Sequence, residues 1–115
     1  MSPYLRTRTT DGCVVVELSG EIDIVAAIEI TPLLDALTRA PRTDLVVDLG
    51  PVDVIDCSGL AALCRVRSRV HGNGGRVQFV CARPPTLRVL HATGLLKAFR
   101  PVPSVDEALA RIGRP

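Results

Sequence analysis

The sequence is poor in aromatic residues. It has no tryptophan, one tyrosine and two phenylalanines in 115 residues, although 47% of its residues are apolar. The core must therefore be built from aliphatic side chains. A chain of this length can bury such a core without disulfides, so we expect one domain spanning residues 1–115.

Long apolar runs and a leader segment are also missing. No stretch approaches the roughly 20 apolar residues that a membrane-spanning helix needs. The N-terminus lacks the basic start and apolar segment of a signal peptide. We therefore expect a cytoplasmic protein that does not insert into a membrane.

The chain lacks an excess of charge of one sign. Its 14 basic residues, of which one is lysine, are balanced by 12 acidic residues to a net charge of +2. Nucleic-acid binding depends on basic stripes. The densest basic cluster is Arg65, Arg67 and Arg69, which the solvated face of a helix explains. The sequence predicts no direct contact with nucleic acid.

The four cysteines form no metal-binding motif. No two of them stand in a Cys-x-x-Cys motif, and none has the spacing to a histidine that zinc sites use. Cys13, Cys64 and Cys81 lie in or beside apolar runs, where free cysteine behaves as a small buried hydrophobe. Cys57 differs because it lies at a predicted helix start. No metal and no cofactor are expected.

Strand and helix signals alternate along the chain. Residues 4–9 and 13–18 flank the turn Asp11-Gly12 and predict a hairpin. Asp23 can cap a helix over 24–39, which Pro32 either kinks or divides. Helices over 60–70, over 84–92 and from Ser104 alternate with strands from Leu45, over 76–81 and over 98–102. This order predicts an α/β domain with a mixed sheet of about four to five strands and about four packed helices.

The stretch from Leu45 to Leu60 contains most of the functional signal. An apolar strand is broken by Gly50-Pro51, resumes at Val54-Ile55, and leads through Asp56-Cys57-Ser58-Gly59 into a helix. The unpaired N–H groups at a helix start attract anions, including phosphate. Asp56, Cys57 and Ser58 are therefore the candidate functional residues.

Three segments of the chain resemble STAS domains of bacterial anti-sigma factor antagonists. Gly20-Glu21-Ile22-Asp23 looks like the Gly-Glu-Leu-Asp that follows the second strand in that family. Val47-Asp48-Leu49 and Ile55-Asp56-Cys57-Ser58-Gly59-Leu60 look like its central strand and its Asp-Ser-Ser/Thr-Gly-Leu loop. The helix from Pro85 to Leu90, followed by Thr93-Gly94-Leu95, resembles its third helix and Gly-Leu ending. The resemblance covers nearly the whole chain and implies the STAS fold.

That resemblance implies a partner switch that regulates transcription. The antagonist binds an anti-sigma factor, which is also a GHKL-type serine kinase, and so releases a sigma factor. The kinase phosphorylates the serine directly after the motif's aspartate, the complex dissociates, and a phosphatase restores it. A phosphate adds about −1.5 to −2 charges, which is costly to bury in an interface. The implied partner-binding residues are Glu21, Asp23, Asp53, Val54, Asp56, Cys57, Ser58, Gly59 and Leu60.

The sequence departs from the family at the phosphate acceptor, because that position holds Cys57. Three hypotheses follow. Ser58, the next residue, could accept phosphate instead. The protein could be a constitutive binder that no kinase switches off. Cys57 could be a redox switch, its thiolate favoured by the helix N-terminus and disfavoured by Asp53 and Asp56. A fourth possibility is only structural, with Cys57 filling a small pocket and Ser58 capping the helix.

Two other function classes compete with the partner switch. A STAS subunit of a lipid-trafficking ABC transport complex would bind an ATPase subunit without phosphorylation. An enzyme is disfavoured, because the first arginine after Cys57 is eight residues on, whereas a cysteine phosphatase needs one six residues on, and neither histidine is placed to activate the thiol. The sequence does not indicate an oligomeric state.

Overall fold

Strands and helices alternate in the structure, a computed structural model that describes residues 2–113. In chain order the elements are β1 (Leu5–Thr10), β2 (Cys13–Leu18), β3 (Gly20–Ile22), α1 (Ile24–Leu37), β4 (Asp44–Asp48), β5 (Val52–Ile55), α2 (Cys57–Gly72), β6 (Arg76–Val80), α3 (Pro84–Ala92), α4 (Leu96–Phe99) and α5 (Val105–Ile112).

The main sheet is mixed, as the sequence predicts. Its strand order is β1-β2-β4-β6, with β1 antiparallel to β2 and the other neighbours parallel. The hairpin turn uses Asp11 and Gly12, both with positive φ, which suits the Asp-Gly turn preference. A second, two-stranded parallel sheet is formed by β3 and β5.

Helices cover both faces of the main sheet. The larger apolar cluster joins one face of the sheet to α1, α2 and α3, through residues such as Ile30, Leu63 and Leu90. The smaller cluster packs Ala108 and Ile112 of α5 on the opposite face. Both clusters are mainly aliphatic, as the shortage of aromatic residues requires.

The helix α1 runs through Pro32 without dividing. Proline cannot donate to the carbonyl four residues earlier, but Ile24–Leu37 is assigned as one helix. The hydroxyl of Thr31 donates to the carbonyl of Ala27 at 2.6 Å, one turn back. Of the two possibilities that the sequence left open, the structure has a single helix.

The prediction of a strand over 98–102 is wrong. Leu96–Phe99 forms the short helix α4, which Arg100 ends in a left-handed conformation at φ 45°. Phe99 is buried and stacks on Phe79 with ring centroids 4.2 Å apart. Only Val102 pairs with the sheet, as a single parallel bridge to Val80. Burial of Phe99 against the end of the sheet outweighs the β-propensity of this short segment.

Candidate functional site

The small β3–β5 sheet brings two helix starts together. β3 and β5 are parallel neighbours, and Ile22 lies opposite Ile55 in their register. The residue after each of these isoleucines is an aspartate, and a helix follows at once. Asp23 and Asp56 therefore emerge side by side at the same edge of the small sheet, although 33 positions separate them in the chain.

Each of these aspartates caps the helix that follows it. Asp56 Oδ1 accepts hydrogen bonds from the backbone N–H groups of Ser58 at 2.9 Å and Gly59 at 3.2 Å. Asp23 Oδ1 accepts one from Ala26 at 3.0 Å. Such caps satisfy otherwise unpaired donors, and the negative charge is favourable beside the positive end of the helix dipole.

Gly59 fixes how closely α2 approaches the small sheet. A Cβ atom at this position would lie 2.7 Å from Ile55 Cγ1, 2.8 Å from Ile22 Cγ2 and 2.8 Å from the Ile22 carbonyl oxygen. No side chain fits there without movement of the backbone. The glycine therefore allows the first turn of α2 to pack directly against both strands.

Cys57 and Ser58 occupy the first turn of α2 but differ in exposure. Cys57 is exposed and Ser58 is half-buried. Within the described residues 2–113, neither the Cys57 thiol nor the Ser58 hydroxyl makes a hydrogen bond. Asp56, not Ser58, provides the cap of α2, so the purely structural capping role considered for Ser58 is wrong.

An exposed apolar patch lies beside the two helix starts. It consists of Ile24, Val25 and Ile28 on the outer face of α1, which are 60%, 62% and 69% exposed, together with Val54 of β5, which is 58% exposed. The opposite face of α1 buries Ala26, Ile30 and Leu34. A helix needs only one apolar face to pack on a core. The second apolar face of α1 is exposed and has no partner among the described residues.

Acidic side chains surround this patch. Glu21, Asp23 and Asp56 are exposed, and none forms an ion pair within residues 2–113. Asp53 is different, because its Oδ1 lies 3.1 Å from Arg83 Nη1, which also donates to the carbonyl of Val52 at 2.8 Å. The site thus presents, around exposed aliphatic side chains, three carboxylates that form no ion pair with the described residues.

The predicted partner-binding residues divide into two groups. The surface group is Glu21, Asp23, Asp53, Val54, Asp56 and Cys57, with Ser58 half-buried beside it. Gly59 and Leu60 are buried, and they support the first turn of α2 from below. Val25 and Ile28 were not among the predicted residues. The sequence signal for these two residues is that 24–30 contains more apolar residues than a single buried helix face needs.

Fold and site together define a class of protein, a small α/β module that presents two acid-capped helix starts beside an exposed apolar helix face. The chain matches the STAS domain family over residues 4–108, and it belongs to that family. The family predicted from the motifs is therefore confirmed.

Several similar proteins are named anti-sigma factor antagonists. The chain is 28% identical over 102 residues to the anti-sigma-F factor antagonist RsfB of Mycobacterium tuberculosis, covering 89% of this chain and 83% of that protein. It is similar to the crystal structure of an anti-sigma factor antagonist from Mycobacterium paratuberculosis, with 32% identity, a TM-score of 0.85 and 98% of each chain covered. The phosphorylated form of the Bacillus protein SpoIIAA shares the fold, with a TM-score of 0.73, 20% identity and coverage of 94% and 98%.

Two features are absent from the described part of the chain. No helix among residues 2–113 is long and apolar enough to cross a membrane. No group of three or more potential metal ligands comes together in the same part of the chain. The two mycobacterial relatives are named as antagonists of anti-sigma factors, and their names mention no catalysed reaction.

Proposed function

We propose that this chain is an anti-sigma factor antagonist that acts as one STAS domain in the cytoplasm and is not an enzyme. It binds an anti-sigma factor and so releases a sigma factor for transcription. The observation that carries the proposal is the apolar patch of Ile24, Val25, Ile28 and Val54. It lies beside the segment Asp56-Cys57-Ser58-Gly59 at the start of α2, which we call the motif loop. The names of the two mycobacterial relatives support the same role.

The patch supplies the binding energy in this proposal. Fully burying an aliphatic side chain is worth about 1.5–3 kcal/mol, and a few central contacts usually dominate an interface. The carboxylates of Glu21, Asp23 and Asp56, which form no ion pair with the described residues, then lie at the rim of the interface. They favour a partner whose complementary surface is basic, because complementary charge accelerates encounter and rejects wrong partners.

Cys57 determines how the complex is regulated. The thiol is exposed at the position where the family carries its acceptor serine, and a serine kinase has no hydroxyl to modify there. We therefore favour a constitutive binder over a phosphorylated switch. Ser58 is the second candidate acceptor, because its hydroxyl makes no hydrogen bond within the described residues, although the residue is half-buried.

The partner in this proposal is an anti-sigma factor of the GHKL serine-kinase type. A kinase assay with labelled ATP, using such kinases from the source organism, compares the wild type, Ser58→Ala and Cys57→Ser. Binding of each form to the same kinases is measured in parallel. We expect the wild type to bind without becoming labelled, and Cys57→Ser to become labelled and to dissociate.

The other outcomes separate the alternatives. Label on the wild type that disappears in Ser58→Ala would show a switch with its acceptor shifted by one residue, reset by a phosphatase. Oxidation with peroxide that abolishes binding of the wild type but not of Cys57→Ser would show redox control. No binding by any form would contradict the antagonist role and favour a transport complex in which the module binds an ATPase subunit.

A further inference from the structure

A small cavity opens at the end of α2 remote from the motif loop. It has a volume of about 190 Å³ and lies between the last turns of α2, the strand β6, the end of α4 and the helix α5. Arg67 and His71 are 10 and 14 residues beyond Cys57, which is about 15–21 Å along the helix axis. The cavity is therefore separate from the proposed partner-binding surface.

Four cationic or potentially cationic side chains line this cavity. They are Arg67 and His71 of α2, Arg100 after α4, and Arg111 of α5. None of the described residues that line it is acidic. The nearest carboxylate contact is that of Glu107 with Arg111, a pair 3.7 Å apart on the exposed face of α5, where such pairs are weak.

Arg67 differs from the neighbouring arginines of α2 in its contacts. Its neighbours Arg65 and Arg69 both contact Asp35 on α1, whereas Arg67 is half-buried and makes no ion pair or hydrogen bond within residues 2–113. Arg67, Arg100 and Arg111 line one cavity, and the exposed Glu107 is the one carboxylate that contacts them among the described residues, so their positive charges repel one another. An anion bound between them removes that repulsion and forms charge-assisted hydrogen bonds.

The size and floor of the cavity define the class of ligand. Small-molecule sites usually measure about 300–1,000 Å³, so this cavity holds a single charged group. Phe79 and Phe99 also line it, but they are buried and stack on each other, so their rings offer little surface on which a nucleobase could stack. We propose that this cavity is a binding site for a tetrahedral oxyanion, namely phosphate or the phosphate group of a small phosphomonoester.

The test is a titration of ¹⁵N-labelled protein with inorganic phosphate at constant ionic strength, followed by NMR. We expect the backbone amides of Gln78 and Arg100 to shift and saturate, while equivalent sodium chloride has no such effect. Arg67→Gln should weaken phosphate binding about tenfold, which is the loss of one charge-assisted hydrogen bond. Arg8→Gln, an exposed arginine on β1, is the matched control and should bind as the wild type does.

A second arm uses adenosine monophosphate at the same concentrations. Equal affinity for adenosine monophosphate and inorganic phosphate would support recognition of the phosphate group alone. Shifts that never saturate, or that Arg67→Gln leaves unchanged, would overturn the proposal and leave only general screening of a basic surface. Binding of adenosine monophosphate without any binding of inorganic phosphate would also overturn it.

Discussion

The two ends of α2 have opposite chemistry. At its first turn Asp56 caps the helix, next to exposed aliphatic side chains and to carboxylates that form no ion pair with the described residues. In its last turn Arg69 and His71 are basic, and the cationic cavity lies beside them. Each charge agrees with the helix dipole, which favours anions at the N-terminus and cations at the C-terminus. One helix, buried on one face, therefore provides two surfaces that attract different partners.

The middle of α2 fixes the two ends relative to the rest of the molecule. Arg65 Nε and Nη2 each donate to a carboxylate oxygen of Asp35 on α1 at 2.8 Å. Arg69 donates from Nε to the hydroxyl of Thr38 at 2.9 Å. The three arginines Arg65, Arg67 and Arg69 therefore have different surroundings. Two of them join α1 to α2, and the third lines the cavity.

The largest effect on stability is expected from adding one methyl group in the first turn of α2. Gly59→Ala should lower the free energy of unfolding by about 1–3 kcal/mol, because the new Cβ would overlap Ile22 and Ile55 and overpacking has costs of that order. Chemical denaturation measures this loss.

The matched control is at the other end of the same helix. Gly72→Ala adds the same methyl group where no atom lies within 4 Å, and it should be neutral or stabilising by about 0.4–1 kcal/mol. An equal loss of unfolding free energy in both variants would contradict the close packing of α2 against β3 and β5 at Gly59.

The next effect concerns the apolar patch. Ile28→Ser should weaken binding to the anti-sigma factor about tenfold, since it removes a largely exposed aliphatic side chain that the partner would bury. Its unfolding midpoint should remain that of the wild type, because Ile28 is 69% exposed. Leu33→Ser, on the same helix but outside the patch, should leave affinity unchanged. Equal affinities for wild type and Ile28→Ser would remove the patch from the interface.

A smaller effect is expected at the cap of α2. Asp56→Ala should destabilise the protein by about 1 kcal/mol, since two backbone donors lose their acceptor. Asp56→Asn keeps an acceptor and should be close to wild type in stability. Thermal unfolding of the two variants separates the hydrogen bonds from the charge, and equal destabilisation by both would assign the effect to charge alone.

The smallest effect is the pH dependence contributed by Asp35. Its hydrogen bonds with Arg65, together with the nearby charges of Arg65 and Arg69, lower the pKa of Asp35 below its ordinary value. A lowered pKa in the folded state means that the unfolded chain binds more protons. The stability from this pair is therefore present above the ordinary aspartate value of about 3.9 and is lost as pH falls through the folded pKa.

Asp35→Asn measures this contribution. The variant should be less stable than the wild type at neutral pH, and the difference should shrink as the solution is acidified below about pH 4. Urea denaturation at a series of pH values gives the comparison. A difference that is constant with pH would show that the loss comes from packing and not from the ion pair.

Much of the fold was predictable because its signals are local. The Asp11-Gly12 hairpin, the cap residue Asp23 and the helices over 60–70 and from Ser104 are all confirmed. The segment 98–102 was mispredicted because its five residues carry too weak a local signal, and the stacking of Phe99 on Phe79 is a contact between distant parts of the chain.

The candidate site was only partly predictable. The motif loop identified Asp56, Cys57 and Ser58, but periodicity cannot tell which of two apolar faces of α1 a core will cover. The sequence by itself determined the family, the aliphatic core and the substitution of Cys57 at the acceptor position, since these depend on residue identity and spacing. Only the tertiary structure decided that Ile24, Val25 and Ile28 stay exposed and that Arg67 meets Arg100 and Arg111 at one cavity. Those arrangements depend on which elements pack together, and packing joins residues that the chain holds far apart.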